Sequence, residues 1–516
     1  MQRNTEDLQQ DQFDLLVIGA GAHGIFTALD ASLRGLSVAL IDRADLCGET
    51  SSNSLRTLHG GIRYLQYLQL GRTIESIREQ AILRKIAPGL TQILPFVMPC
   101  SGQGMRGPAV MFAGMQGHQA LRLATTLDVN GLSHLPMNRV SGASTYGELA
   151  PGVVAPNLTG TAIWNEVQLL DTNALLIGCA QAAEKAGATI ANYVQADRLR
   201  IDTGKILGAT CTDRLTGTTF DINAKTCINT TGPWIESFLQ TAGGNEIKPM
   251  PIALNDSMNI VLRRQLFADR AIALPSQKKV EGKAVADANR MYFAVPWRGR
   301  SVIGTVQEPW TDEQSSQNNR SGFLDQLLEE LNDTMPDARL ERADIQHLYW
   351  GRVPTEDALD ENGVKRRKAD EVIDHGERDN IEGLYSLVGV KLTTARAIAK
   401  KIVDTMMRQS NSAFVRSSTH KVRLPLPEQN PKQPSHSQLN SERRFKERVR
   451  QSCENEMTMT ASDFLYRRTD LAVLDAPTEQ HCLWLASALP SHAAYPTMDL
   501  KMDPKMHPNA DTVSAD

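Results

Sequence analysis

Asp14-Leu-Leu-Val-Ile-Gly19-Ala-Gly21-Ala-His-Gly24 is the stretch whose reading decides the fold of this chain. The run from Asp14 is short and continuously apolar, as in a strand buried on both faces of a parallel sheet. Three glycines follow at GxGxxG spacing, then a helical stretch from Ile25 to Arg34 that ends at Gly35. A second apolar run, Ser37 to Ile41, closes on Asp42. Strand, glycine turn, helix, strand and acid within about 30 residues form a βαβ unit suited to a dinucleotide. Gly19 permits the tight turn, Gly21 lets backbone approach a pyrophosphate, and Gly24 lets helix and strand pack closely. The phosphates are expected at the helix N-terminus, where free N–H groups and the dipole favour an anion. Asp42 is placed to accept the hydroxyls of an adenosine ribose.

Outward from this unit the spacing predicts a helix over 72–87 that stops before Pro88, and an Asp171-capped helix through Lys185. Short β-rich runs follow at 188–201, 206–212 and 225–230, and the stretch 250–306 reads as mostly strand. A helix is expected around 322–332, then a strand, glycine and helix unit from Leu384. Beyond about 408 the chain turns polar and proline-rich and reads as a linker, with a charged helical segment after it.

The 516 residues suggest two to four structural units at about 150 residues each. Apolar residues at 41% and charged residues at 22% mark an ordinary globular composition. A net charge of −4 gives no basic field for nucleic acid. Seven scattered cysteines without a CxxC pair fit a reducing, cytoplasmic setting, and no metal site is read. No secretion signal and no run of about 18 apolar residues is evident.

The βαβ unit alone does not separate FAD from NAD. The discriminating stretch is Thr50-Ser51-Ser52-Asn-Ser54-Leu-Arg56-Thr-Leu-His59-Gly60-Gly61-Ile-Arg63-Tyr64, whose hydroxyls can donate to phosphates or a flavin edge. Its paired glycines let a planar ring approach the backbone. This run closely resembles the TSSxxSxKLxHGGLRYLE segment of FAD-dependent glycerol-3-phosphate dehydrogenases, quinone-linked members of the D-amino-acid-oxidase-like flavoprotein superfamily. Thr230-Thr-Gly232-Pro-Trp234 is similar to that family's NAAGPW. Val295-Pro-Trp297 with Ile303-Gly-Thr305 is similar to its PW and IGTTD, and Val390-Lys391-Leu392-Thr393-Thr394 to its GGKLTTYR. The resemblance covers residues 13 to about 405 and is expected to extend to the helical 441–475 segment.

The resemblance implies an α/β fold: a Rossmann-like FAD-binding domain in three pieces (13–100, 165–235, 380–408) interleaved with a mixed β-sheet substrate domain (101–164, 236–379). A linker (409–440), a C-terminal helical domain (441–490) and a tail expected to be disordered (491–516) follow. It implies FAD held by Gly19, Gly21, Gly24, Asp42, Thr50, Ser51, Ser52, Ser54, Arg56, His59, Gly60, Gly61, Gly232, Lys391, Leu392 and Thr393. Arg63 and Tyr64 match the substrate-contacting pair, and Lys391 faces the flavin's pyrimidine edge, so Arg63 and Lys391 are the catalytic candidates. The implied reaction oxidises the secondary alcohol of a small anion, with electrons passed to a quinone or other acceptor. Alternatives are a related oxidoreductase acting on another hydroxy acid, sugar phosphate or amine, and an FAD-binding protein without turnover. A peripheral membrane contact, for which the basic stretch 442–450 is the candidate, and a homodimer stay open.

The departures fall at the substrate side. Asn259 stands where the family has a histidine, and an amide cannot serve as a base. Gly351-Arg352-Val-Pro354 replaces GVRP, and in an extended segment that exchange turns Arg352 to the opposite face. Arg367 is the match for a second anion-binding arginine, while Val390 and Ala395 replace a glycine and a tyrosine.

Overall fold

The run Leu15–Ile18 is a strand buried at all four positions, and Val38–Ile41 pairs parallel with it. Side chains on a strand alternate between faces, and here the alternation sorts them into two cores. Leu15, Val17, Val38 and Leu40 pack against the helices Ala22–Ser32, Thr172–Lys185 and Ala395–Gln409. Leu16, Ile18, Ala39 and Ile41 pack against a second, four-stranded sheet. The computed structural model describes residues 1–489 apart from 11, 66–67, 130–134, 280–288, 311–312, 361–362, 367–369, 410–412, 425–438 and 440.

Three sheets organise the chain. The nucleotide sheet runs in the order Glu371–Asp374, Leu384–Val388, Cys227–Asn229, Leu15–Ile18, Val38–Ile41, Thr189–Ala191, parallel except for its first strand. On one face lies the sheet formed by Gln12–Phe13, Thr219–Ala224, Lys205–Asp213 and Val194–Asp202. The large sheet is mostly antiparallel, with Leu254–Leu262 held between Ile345–Asp360 and Arg300–Pro309. The mixed α/β architecture agrees with the expected interleaving.

Three boundaries differ from expectation. Thr91–Ser101, assigned to the nucleotide unit, instead forms a long antiparallel ladder with Leu158–Leu169 in the large sheet. Conversely, Glu371–Asp374 extends the nucleotide sheet. An alternating strand pattern does not say which sheet will receive it. Residues 413–424 are packed where a linker was expected: Ser417 donates to Asp30, Arg396 donates to Thr419, and Leu424 is buried. The tail 491–516 lies outside the described residues. The helix Pro108–Thr125 had no counterpart in the sequence reading.

The C-terminal unit gathers around Phe445, Val449, Phe464 and Leu471. A π-helical turn, Asp463–Arg468, places Arg467 and Arg468 on the buried Asp45 at 2.6 and 2.8 Å. Burial alone would raise the Asp45 pKa, but Arg468 and then Arg467 outweigh it and hold the carboxyl near about 2. Val473 and Leu474 then pack on Trp297 and Tyr349 of the large sheet. Among the described residues no helix is long and apolar enough to cross a membrane.

Candidate active site

The C-terminal ends of the parallel strands converge on the glycine turn, where open α/β sheets bind ligands. Gly19 adopts φ +107°. A side chain at Gly24 would put its Cβ 1.8 Å from the Gly19 carbonyl oxygen, so only glycine lets the helix start so close to the strand. The helix Ala22–Ser32 begins at Gly21 with no side-chain cap. Ser51 Oγ accepts from the Ala22 N–H at 2.9 Å. Asp42 accepts from Ala20 N–H at 2.7 Å and Ala44 N–H at 2.9 Å. Burial pushes its pKa up to about 6 against those two bonds. Gly232, at φ +62°, opens the turn Gly232–Trp234, and the Arg43 guanidinium lies 4.6 Å from the Trp234 ring centre. A helix that starts on Gly21, a turn no Cβ could occupy and an acid at the second strand's end fit a dinucleotide.

The loop after Asp42 behaves differently from the sequence reading. Ser51 does reach the phosphate turn. Ser52 instead donates to Cys47 O and Asn173 Oδ1, Ser54 pairs with Thr172, and Thr50 donates to Arg352 O at 2.9 Å. These hydroxyls fasten the loop to its neighbours. Arg56, buried at φ +55°, is sandwiched 4.0 Å from the Trp297 ring centre and 5.3 Å from that of Tyr349, and donates to the tyrosine hydroxyl. It is a core cation, held between two aromatic rings.

His59 is half exposed, with Nδ1 3.8 Å from Glu166 Oε1. Glu166 is buried and also accepts from Gly60 N–H at 2.7 Å, Gln80 at 2.7 Å and Trp164 at 3.0 Å. Burial raises its pKa, but the bond from His59 and the other donors outweigh that and lower it overall. His118 Nε2 meets Gly60 O at 3.0 Å. Glu166 and His118 were missed by sequence reasoning. The one available signal was an acid inside the apolar run Ala162-Ile-Trp-Asn-Glu166-Val-Gln-Leu.

Opposite this loop, the turn between Leu384–Val388 and Ala395–Gln409 is pinned by Asp370, which accepts from Val390 N–H and Thr394 Oγ, each at 2.6 Å. Gly389 must be bare because a Cβ there would come within 2.1 Å of the His23 ring. Lys391 Nζ sits 3.9 Å from the Tyr64 ring centre, a cation–π contact. Burial first, and the Arg63 charge second, lower its pKa to about 8. Arg63 itself is exposed, Leu392 half-buried and Thr393 buried. The structure thus brings Arg63, Tyr64 and Lys391 together beside His59, Gly60 and Gly61.

On the facing strands the predicted substrate residues are spent elsewhere. Asn259, 3% exposed, donates to Asn53 O at 3.2 Å and accepts from Thr305 at 2.9 Å. Its amide lies directly under Gly304. A Cβ on Gly351 would face Thr50, whereas Arg352 turns away to Asp256 at 3.5 Å and to the Trp310 ring at 4.9 Å. Arg367 lies outside the described residues. Among the described residues no cluster of His, Cys, Asp and Glu could hold a metal.

Residues 14–405 match the family described as FAD dependent oxidoreductase (DAO). A glycerol-3-phosphate dehydrogenase from Synechocystis is 31% identical over 409 residues, 78% of this chain and 71% of that protein. In fold, the chain resembles the Bacillus halodurans glycerol-3-phosphate dehydrogenase complexed with FAD, with a TM-score of 0.69 at 21% identity over 96% of this chain and 95% of that one. It also resembles the FAD-bound L-alpha-glycerophosphate oxidase of Mycoplasma pneumoniae, with a TM-score of 0.55 at 15% identity over 81% and 100%.

Proposed function

The chain belongs to the FAD-dependent oxidoreductase family, and from that premise we propose that it oxidises glycerol 3-phosphate to dihydroxyacetone phosphate. The observation that carries the substrate class is the half-buried Lys391 held over Tyr64 with Arg63 beside it, a cationic end for a small anion. When bound on the Gly19–Gly24 turn, FAD supplies the hydride acceptor, N5, that no side chain provides.

The chain's own residues do the rest. Lys391 and Arg63 grip the anion and fix the carbinol carbon relative to the Gly60–Gly61 backbone. His59 takes the hydroxyl proton, because its ring reaches solvent on one side and Glu166 on the other. Glu166, held by three further donors, favours the imidazolium so formed. Asn259, an amide bonded at both ends, orients the loop at Asn53 and moves no proton.

Electrons then leave to a lipid-soluble quinone. The protein works in the cytoplasm and touches the membrane from its surface. Its seven free cysteines suit that compartment. The test is an anaerobic titration of the flavin-loaded protein with glycerol 3-phosphate. The visible flavin absorbance should bleach, and a flavin that stays oxidised sinks the substrate. Reoxidation of the bleached protein by a soluble quinone or by oxygen separates the acceptors.

A further inference from the structure

Both backbone polar groups of Gly60 are taken by buried side chains from two separate elements. Its N–H donates to Glu166 Oε2 at 2.7 Å, on the strand Leu158–Leu169, and its carbonyl meets His118 Nε2 at 3.0 Å, on the helix Pro108–Thr125. Gln80, on the helix Leu70–Ile86, donates to Leu58 O at 2.6 Å and to Glu166 Oε2 at 2.7 Å. Glu166, His118 and Gln80 are each 1–2% exposed. A Cβ on Gly60 would stand 3.3–3.4 Å from atoms of all three, so the residue sits inside a cage of polar groups. The backbone of an ordinary surface loop is satisfied by water. Here fixed side chains replace that water, directly beside the half-exposed His59.

The chemistry of His118 defines what it does in the cage. A carbonyl can only accept, so Nε2 carries the ring proton, and Nδ1 is left to accept from Asn138 Nδ2, 3.5 Å away. Asn138 is itself anchored by donating to Met115 O at 3.1 Å. Burial, joined by the Arg122 charge, lowers the His118 pKa against the pull of the Gly60 bond and Glu166, so the ring is neutral with a single N–H. Arg122, 2% exposed, makes no ion pair among the described residues. Its Nη2 donates to Gln119, Leu135 O and Pro136 O, while Nε and Nη1 have no partner. From helix to loop the order is a cation, a neutral donor, a clamped glycine, an anion and then His59. Buried polar networks of this kind are demanding to satisfy, and what they supply is one defined geometry.

We propose that His118 is a positioning residue for the oxidation: by donating to the Gly60 carbonyl, opposite Glu166 on the N–H, it holds the His59–Gly61 backbone at one angle beside Lys391 and Tyr64. This deepens the reading in which His59 takes the hydroxyl proton, and rests on it. The substrate's anionic end is gripped at Lys391 and Arg63, so His118 governs the rate of the chemical step and not substrate affinity.

The experiment compares two side chains of matching length at position 118 in the full-length, flavin-loaded protein. Glutamine can place an amide N–H where Nε2 stands, whereas methionine fills the space without a donor. His118→Gln should keep kcat within about threefold of wild type, and His118→Met should lower it by about tenfold, the worth of one hydrogen bond, with KM for glycerol 3-phosphate nearly unchanged. If His118→Met does not fold, His118→Asn, whose shorter amide stops short of the carbonyl, carries the same expectation. Visible circular dichroism of the bound flavin reports the fixity of its surroundings without turnover. It should change in the methionine variant and return in the glutamine variant, at equal flavin content.

The proposal is overturned if the methionine variant turns over like wild type, if its loss falls on KM instead of kcat, or if glutamine fails as badly as methionine. If wild-type flavin is not bleached by glycerol 3-phosphate, the substrate reading falls and the dichroism decides alone. A change confined to the variant without a donor then supports the clamp, and an unchanged spectrum overturns it.

Discussion

At the nucleotide turn the work is done by main chain, with Gly19 and Gly24 bare because the backbone beside them leaves no room for a Cβ. On the facing strands it is done by side chains, and there Asn259 is bonded to Thr305 and the Asn53 backbone while Arg352 pairs with Asp256. A backbone-built site tolerates almost no substitution at its glycines. A side-chain-built wall can be rewired while the fold persists, so the substrate side is where a member of this family is free to change.

The largest test of that contrast is Gly24→Ala. Its Cβ would stand 1.8 Å from a carbonyl that cannot swing aside, so the purified protein should carry little or no flavin by absorbance. Full occupancy would break the comparison. Next is Lys391→Met, expected to keep its flavin but lower kcat/KM for an anionic substrate by about 10- to 100-fold, the worth of one charge-assisted contact.

The same lysine sets a pH dependence. It is a cation below about 8 and loses its charge above, so KM should rise as pH passes upward through that value. A flat profile would take Lys391 out of substrate binding.

A smaller effect is expected at Asp42. Burial raises its pKa to about 6, so the empty site holds a proton below that pH, while ribose hydroxyls are accepted by the ionised form. Below that pH FAD binding should therefore release a proton. Affinity measured by flavin fluorescence should weaken as pH falls below 6, and a rise instead would contradict the ribose role. Smallest for catalysis is Arg352→Met, which should change kcat/KM by less than about twofold while costing about 1–3 kcal/mol of stability through the loss of its ion pair with Asp256. A large loss of activity with normal stability would return Arg352 to the substrate site.

What was legible in the sequence follows the same division. The βαβ unit and the Asp171-capped helix could be read because apolar runs, glycine turns and caps are local requirements. The opposite facing of Arg352 could be read from the period of a strand. Glu166 was hidden, because its partner Gly60 lies 106 residues away and nothing local marks the pairing. The pairings of the loop hydroxyls were hidden because Ser52 and Ser54 found protein partners across 121 and 118 residues. Pro108–Thr125 was missed because His118, Gln119 and Arg122 share its buried side with Met111 and Met115, which blurs the apolar stripe that identifies a surface helix.

The clamp on Asp45 reaches across 422 residues to Arg467. During synthesis Asp45 therefore emerges long before the cations that neutralise it. Contacts this distant form late and slowly. The N-terminal third must wait, incompletely closed, until the last helices leave the ribosome. A chain cut short before Arg467 would lack this clamp altogether, and its exposed seam would invite aggregation or proteolysis.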